Sequence, residues 1–525
     1  MRPRVLLACL VLSLPLAAGA VTFRWASQGD TATQDPHAQD EGFTKSQNAL
    51  VYDRLMLRNK DMSLAPGLAT SWKAAGPARW VFQLRKGVKF HDGTPFTADD
   101  VVFSFERAAK SRQFRAYAGP AGVPRRIDDF TVEFASPAPN PLQAVYIAEV
   151  PVMSKAWSER NGAREPQDFA AKEATYASRN AMGTGPYKLV SFEPGLKSVH
   201  QKNPEWWGLA DGRMEGNIDT LEYRPIANAG TRMAALKSGE IDFVLDPSVQ
   251  DIARLKEERD FRVWEGDEAR VITIALDQAR EELLFSDVKG KNPFKDRRVR
   301  QALYQGIDIQ AIRTQVMRGL STPTAVGTPN PKGEGLAALD NRLPFDIAAA
   351  KALLAEAGYP NGFGFTLHCP NDRYVNDERI CVAIAAMWAK IGLKVNVETM
   401  PKAQYFQRTP KKEFSACMQG WGDNNRDAMF TLRPLYHSLQ ADTGRGDTNY
   451  GNFRNPEADA LIQKAETEMD GARRQGYIVD AVKSLQREVN VIPLHRQVVP
   501  WISRTNVTVV HRPDNWFWPI WASLK

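Results

Sequence analysis

The 525-residue chain carries 68 Lys and Arg, 61 Asp and Glu and 7 His, yet few of them stand at spacings that build a reactive centre. No G-x-S-x-G elbow presents a nucleophilic serine, no H-E-x-x-H sets zinc ligands on one helix face, and no G-x-x-x-x-G-K-[ST] loop cradles phosphates. Gly183-x-Gly185 lacks the third glycine of a dinucleotide turn. The histidines, His37, His91, His200, His368, His437, His495 and His511, show no i,i+4 pair and no C-x-x-C companion, so their spacing defines no metal set. No cofactor is expected. The adjacent carboxylates Asp99-Asp100 and Asp128-Asp129 read as a helix start and a turn, not as an acid–base pair. Binding is therefore favoured over catalysis. A secreted hydrolase with an unfamiliar site is the competing class, and turnover of a candidate substrate would identify it.

The charge balance narrows the partners. A net charge of +7 falls to about +5 if Arg2 and Arg4 are removed, and the basic pairs Lys411-Lys412 and Arg473-Arg474 are isolated. No basic run suited to nucleic acid is present. Arg2 and Arg4 precede an apolar stretch at 5–18, followed by Ala18-Gly19-Ala20. That order predicts a secretory signal over residues 1–20, since about 14 apolar residues are too few to span a bilayer. Val21, not cysteine, follows the expected cut, so a periplasmic protein without a lipid anchor is expected. No later run reaches 18 apolar residues, which argues against membrane integration. About 505 residues remain, enough for two or three domains with cores of their own.

Strand and helix periods alternate along the chain, which predicts an α/β or α+β class. Val21, Phe23 and Trp25 alternate with polar residues as a first strand, and Trp80, Phe82 and Leu84 do the same. Thr97 with Asp100 resembles a capping box, predicting a helix over 98–110 with Val102, Phe105 and Ala109 on its inner face. Val299, Ala302, Leu303 and Gly306 fall at helical spacing. Asp346 can cap a helix ending at Gly358, with Pro360 just beyond. Phe365, Leu367 and Cys369 then form a strand stripe, Ile380, Ile384, Met387 and Ile391 a helical one stopped at Gly392, and Leu393, Val395 and Val397 a second strand. This is a βαβ pattern. Asn455-Pro456 opens another helix, with Leu461, Ile462 and Ala465 inward. No fixed-period repeat or low-complexity linker is present.

The stretch WVFQLRKGVKFHDGTPFTADDV at 80–101 resembles the signature of the family 5 extracellular solute-binding proteins, which serve dipeptide, oligopeptide and nickel import. GTGPYKL at 183–189, NPEWWG at 203–208, LKSGEID at 236–242, DRRVRQAL at 296–303, AKALLAEAGYPNGF at 350–363 and NPEADALI at 455–462 extend the resemblance over essentially the whole mature chain. It implies an α/β two-lobe periplasmic binding fold that closes on its ligand as a hinge. Residues 21–51, 186–274 and 496–525 would form a discontinuous lobe I, 52–185 a subdomain inserted in it, and 275–495 lobe II, with crossings near 271–277 and 491–497. It implies a monomer that feeds the permease subunits of an ABC importer with a small ligand, a short peptide first. Nickel chelate, haem, oligosaccharide or an opine-like compound are alternative cargoes, and a ligand-sensing protein is an alternative role.

In peptide-binding members an aspartate after a Gly-Trp pair receives the peptide's amino group, since an enclosed ammonium needs a carboxylate partner. The matching stretch here runs Gly420-Trp421-Gly422-Asp423-Asn424-Asn425-Arg426-Asp427, one residue shorter between Trp and Asp than in the dipeptide binder and with a basic residue at 426. The resemblance points to Asp423. Asp427 is the alternative receptor, and a helix or turn cap the alternative role for Asp423. Arg373 falls where the dipeptide binder places an arginine for the ligand's carboxylate, which a guanidinium can grip with two donors. A surface salt bridge to Asp377 or Glu378 is its other reading. Trp421, as an apolar wall or as core, and Tyr374, Asn376 and Asn424 complete the ligand-binding candidates.

Beyond the leader three cysteines remain, and an oxidising compartment allows one disulfide. Cys369 ends a strand and Cys381 lies near the start of the next helix, so a bond between them is expected, with Cys417 reduced. It would close the loop that holds Arg373. A Cys369–Cys417 bond and three buried thiols are the alternatives.

Overall fold

Alternating Phe23 and Trp25, both buried, place the expected first strand in the middle of an 11-stranded sheet. The computed structural model describes residues 19–169, 171, 174–330, 335–409, 411–440 and 443–525. Of the expected leader, residues 1–18 lie outside the described residues. We label the strands of the large sheet β1 (Thr22–Ser27), β2 (Tyr187–Glu193), β3 (Lys197–Lys202), β4 (Thr220–Pro225), β5 (Phe243–Val244), β6 (Phe261–Leu276), β7 (Ser321–Pro323), β8 (Gly364–Pro370), β9 (Lys394–Met400), β10 (Ala416–Gly422) and β11 (Val491–Arg504). Their order is β9-β8-β10-β6-β11-β5-β1-β4-β3-β2, with β7 beside β11.

Two long strands join the halves of this sheet. β6 has 16 residues and β11 has 14. They run antiparallel, with register shifts between Asp267 and Val271 and between Ile272 and Thr273. Beyond them the sheet divides. On one side β1 lies parallel to both β4 and β5. On the other, β8 lies parallel to β9 and β10. The expected crossings at 271–277 and 491–497 fall at the end of β6 and the start of β11.

The βαβ unit forms as the spacing predicts. β8 and β9 pair in parallel from Gly364↔Lys394 to Pro370↔Met400, and the helix Asp377–Ala389 connects them. Ile391 lies past the end of that helix but stays buried. Gly392 adopts φ +95, a left-handed turn that a side chain would strain. Asp346 caps its helix by accepting from the Ala349 amide at 2.9 Å, and Asn455 does the same for Ala458 at 3.1 Å.

A separate four-stranded antiparallel sheet forms within residues 69–135. Its core gathers Leu55, Phe82, Phe105, Phe134 and Val152. The capping box at Thr97 is present, with the Thr97 amide donating to Asp100 at 2.9 Å. Phe105 is inward as expected, but the positions on either side of it are displaced by one residue. Val101, Phe105 and Ala108 are buried, whereas Val102 is half-buried and Ala109 exposed. Asp100 turns inward to accept from the Lys155 amide at 2.9 Å.

Candidate functional site

β10 ends at Gly420-Trp421-Gly422 and feeds the loop 423–427. A Cβ on Gly420 would stand 2.4 Å from the Tyr374 ring. Glycine therefore lets that ring lie on the strand, where its hydroxyl donates to the Gly420 carbonyl at 3.2 Å. Gly422 pairs with Arg270 of β6, and the Asp423 amide extends the ladder to the Ala269 carbonyl at 2.9 Å. The sheet itself thus delivers Asp423 and Tyr374 beside the crossing strands.

Asp423 is 3% exposed. Its carboxylate accepts from the Asn425 amide at 2.8 Å and forms no ion pair among the described residues. Burial pushes its pKa up to about 7; Asp427 and Glu149 add to this, while the Asn425 amide and Arg58 oppose it. The nearby side chains of the first half of the chain are already paired. Arg58 meets Glu149 at 2.9 Å, Lys45 meets Asp40 at 2.6 Å, and the Tyr117 hydroxyl donates to Asp40 at 2.8 Å. Burial works to raise the pKa of Glu149, but Arg58, Lys45 and Arg54 outweigh it and hold it near 2.

Arg373 stands on the loop after β8. Its guanidinium lies 5.2 Å from the centre of the Tyr374 ring and has no ion-pair partner among the described residues. Asp377 does not take it; that carboxylate accepts instead from the amides of Arg373 and Tyr374, at 2.9 and 3.0 Å. Burial and the neighbouring Arg270 both lower the pKa of Arg373. Arg270 has Glu268 at 3.1 Å, and Glu268 also accepts from Gln497 at 2.6 Å. The Cys369–Cys381 disulfide, with a sequence separation of 12, closes the loop under Arg373. Cys417 is a buried free thiol whose pKa burial pushes up to about 12.

The other candidates divide by role. Asp427 is held by Arg474 through two hydrogen bonds of 2.7 and 2.8 Å, so the rival carboxylate is occupied. Trp421 donates from Nε1 to the Phe430 carbonyl at 3.0 Å and packs on a core cluster that includes Met429 and Leu432, which fixes the loop. Asn376, at φ +55 before the helix Asp377–Ala389, donates to the Val316 carbonyl at 2.9 Å and so ties its loop to a neighbouring segment. Tyr374 is buried. Asn424 is half-buried beside Asp423.

Sequence reasoning missed Glu268, Arg270 and Gln497 on the crossing strands, and Lys45, Arg58 and Glu149 opposite. A signal existed for the first three: polar and charged clusters, EGDEAR at 265–270 and HRQ at 495–497, stand in the middle of two long strands.

A sheet carried across two lobes by paired strands, with unpaired charges beside the crossings, defines a binding protein that closes on a solute. The chain belongs to the bacterial extracellular solute-binding proteins, family 5, whose model matches residues 63–443. These are periplasmic proteins that hand captured solutes to ABC importers. The chain is similar to "Heme-binding protein A" of Haemophilus influenzae, 30% identical over 451 residues covering 79% of this chain and 76% of that one. It is also similar to "Dipeptide-binding protein" of Escherichia coli, 26% identical over 502 residues covering 89% and 88%. Among solved structures, HbpA2 of Haemophilus parasuis superposes with a TM-score of 0.77 at 26% identity, covering 96% of this chain and 100% of that one. No helix among the described residues is long and apolar enough to cross a membrane.

Proposed function

We propose that the cleft captures a short peptide and presents it to an ABC permease, with Asp423 taking the amino group and Arg373 the carboxylate. The observation that carries this reading is a pair of opposite charges left without counter-ions: a buried carboxylate at Asp423 and a guanidinium at Arg373. Tyr374 links their loops through the Gly420 carbonyl. Burying either charge alone is costly, and a zwitterionic ligand supplies both partners. Asn424 and Tyr374 would flank it. The 26% identity to a dipeptide-binding protein supports the same reading.

In this reading residues 1–20 are a removed signal peptide without lipid attachment, and the mature protein is a periplasmic monomer that catalyses no reaction. Lobe I comprises 21–51, 186–274 and 496–525 with 52–185 inserted, and lobe II comprises 275–495. The sheet order supports these limits, as does the separate core within residues 55–152.

A second reading is haem, favoured by the 30% identity to a haem-binding protein. A thermal-shift screen separates the two. A ligand bound only to the folded state at 100 times its Kd stabilises by about 2.7 kcal/mol, so di- to pentapeptides should raise the Tm. A rise with haem alone refutes the peptide reading.

A further inference from the structure

The loop that holds Asp423 also reaches across the cleft. Its two stems are fixed to their own half of the protein, Trp421 through the Phe430 carbonyl and Asp427 through Arg474. Between them, Asn425 and Arg426 extend to the hairpin formed by Met56–Arg58 and Leu64–Pro66. Arg58, already bonded to Glu149 at 2.9 Å, also donates to the Asn425 side-chain oxygen. Arg426 donates to the backbone carbonyl of Asp61 at the hairpin's tip. Beside this polar clasp the Tyr146 and Phe430 rings meet at 4.8 Å between centroids. Leu142 joins the cluster that contains Met429 and Leu432. The contacts of Arg58 with Asn425, Arg426 with Asp61, Tyr146 with Phe430 and Leu142 with its cluster each join protein to protein across the proposed lobe boundary.

Arg426 has φ +59, the left-handed region that L side chains avoid. A glycine would sit there freely, so an exposed arginine at this position is explained by its side-chain reach. Asn425 has two duties: its amide fixes the Asp423 carboxylate at 2.8 Å, while its side chain grips the opposite lobe. Recognition and closure therefore share one residue.

We infer that loop 423–427 is a latch whose Asn425 and Arg426 fasten the lobes to each other directly, sealing the cleft at its Asp423 end. Closure is then partly independent of ligand, and a ligand must terminate at the group Asp423 receives. The statement about termination rests on the peptide reading; the latch itself does not.

The test uses the full mature chain, stripped of ligand. Lys73→Cys and Lys351→Cys, both exposed, carry spin labels, while Cys417 is buried and does not react. Double electron–electron resonance then gives the interlobe distances. The unsubstituted latch should show a closed component. Arg426→Gly, which fits the backbone, and Asn425→Ala should each lower the closed-to-open ratio roughly two- to tenfold, the effect of one net hydrogen bond. A fully open distribution in the parent protein, or identical distributions in parent and both variants, overturns the latch. Dialanine and N-acetyl-dialanine are then compared. The preference for the free amine should narrow in Arg426→Gly, and an unchanged preference overturns the sealing of that end. If no di- to pentapeptide binds either protein, the peptide reading fails, and the distances still decide the latch.

Discussion

Asp423→Asn removes a charge while keeping the shape and the acceptor for the Asn425 amide. In the folded protein the Asp423 carboxyl titrates near 7, against an ordinary 3.8. At 1.36 kcal/mol per pH unit that gap amounts to about 4 kcal/mol. The sign follows from proton binding: the folded state holds this proton more tightly than the unfolded chain does. Its favourable contribution is complete below about pH 3.8, declines as pH rises, and is gone above about pH 7. Asparagine has no such dependence. The Tm of Asp423→Asn relative to the parent should therefore climb between pH 4 and pH 8, by about 4 °C when a chain of about 505 residues unfolds as one unit. Binding should move the opposite way. The ammonium of a free-amino dipeptide would meet no carboxylate, and its affinity should fall by about 2–5 kcal/mol, at least 30-fold. Differential scanning calorimetry at pH 4, 6 and 8, paired with titration calorimetry at pH 7.5, measures both. Parallel Tm curves, or unchanged affinity in the variant, would falsify the placement of a buried, ligand-facing charge at 423.

Four further outcomes follow from named contacts. Peptide affinity should peak between about pH 7 and 8, because Asp423 is neutralised below that range and an α-amine of pKa about 7.7–8.0 loses its charge above it; a flat profile from pH 5 to 9 contradicts this. Arg373→Ala should weaken a free-carboxylate dipeptide by about 1.5–3 kcal/mol and leave its C-terminal amide almost unaffected, as competition binding would reveal. Reduction of Cys369–Cys381 should cost on the order of 3 kcal/mol in urea unfolding, and peptide mapping of the unreduced protein should recover that linkage with Cys417 alkylatable after denaturation. His495 is fully buried with neither ring nitrogen hydrogen-bonded, and burial, then Arg342, lowers its pKa to about 3. Between about pH 6.5 and pH 3 the unfolded chain takes up this proton while the folded protein keeps the ring neutral. The folded state therefore loses stability as pH falls, and His495→Met should become steadily more stable than the parent between pH 6.5 and 4.5.

Much of the fold was legible because local chemistry and tertiary packing agree. The caps at Asp346 and Asn455, the turn at Gly392 and the apolar stripes at 365–369 and 380–384 each have one inexpensive solution, and the structure uses it. The helix at 98–110 forms where its spacing predicts, with Phe105 inward as expected, but Val101 and Ala108 replace Val102 and Ala109 on the buried face. Asp100 also turns in there to the Lys155 amide, a contact that periodicity does not register. The candidate site was half legible. Asp423 and Arg373 stand on loops whose neighbouring motifs are recognisable. Arg58 meets Glu149 from 91 residues away and Glu268 meets Gln497 from 229 residues away, the second pair through the crossing strands. The occupied state of Asp427 depends on Arg474, a partner that sequence spacing could not supply.

Native mass spectrometry of the protein drawn from its own compartment, with its ligand retained, tests the central claim most directly. A mass excess is expected that resolves, on activation, into one or more short peptides with free amino termini, and that is lost in Asp423→Asn. A retained haem, metal chelate or sugar, held equally well by Asp423→Asn, would contradict it.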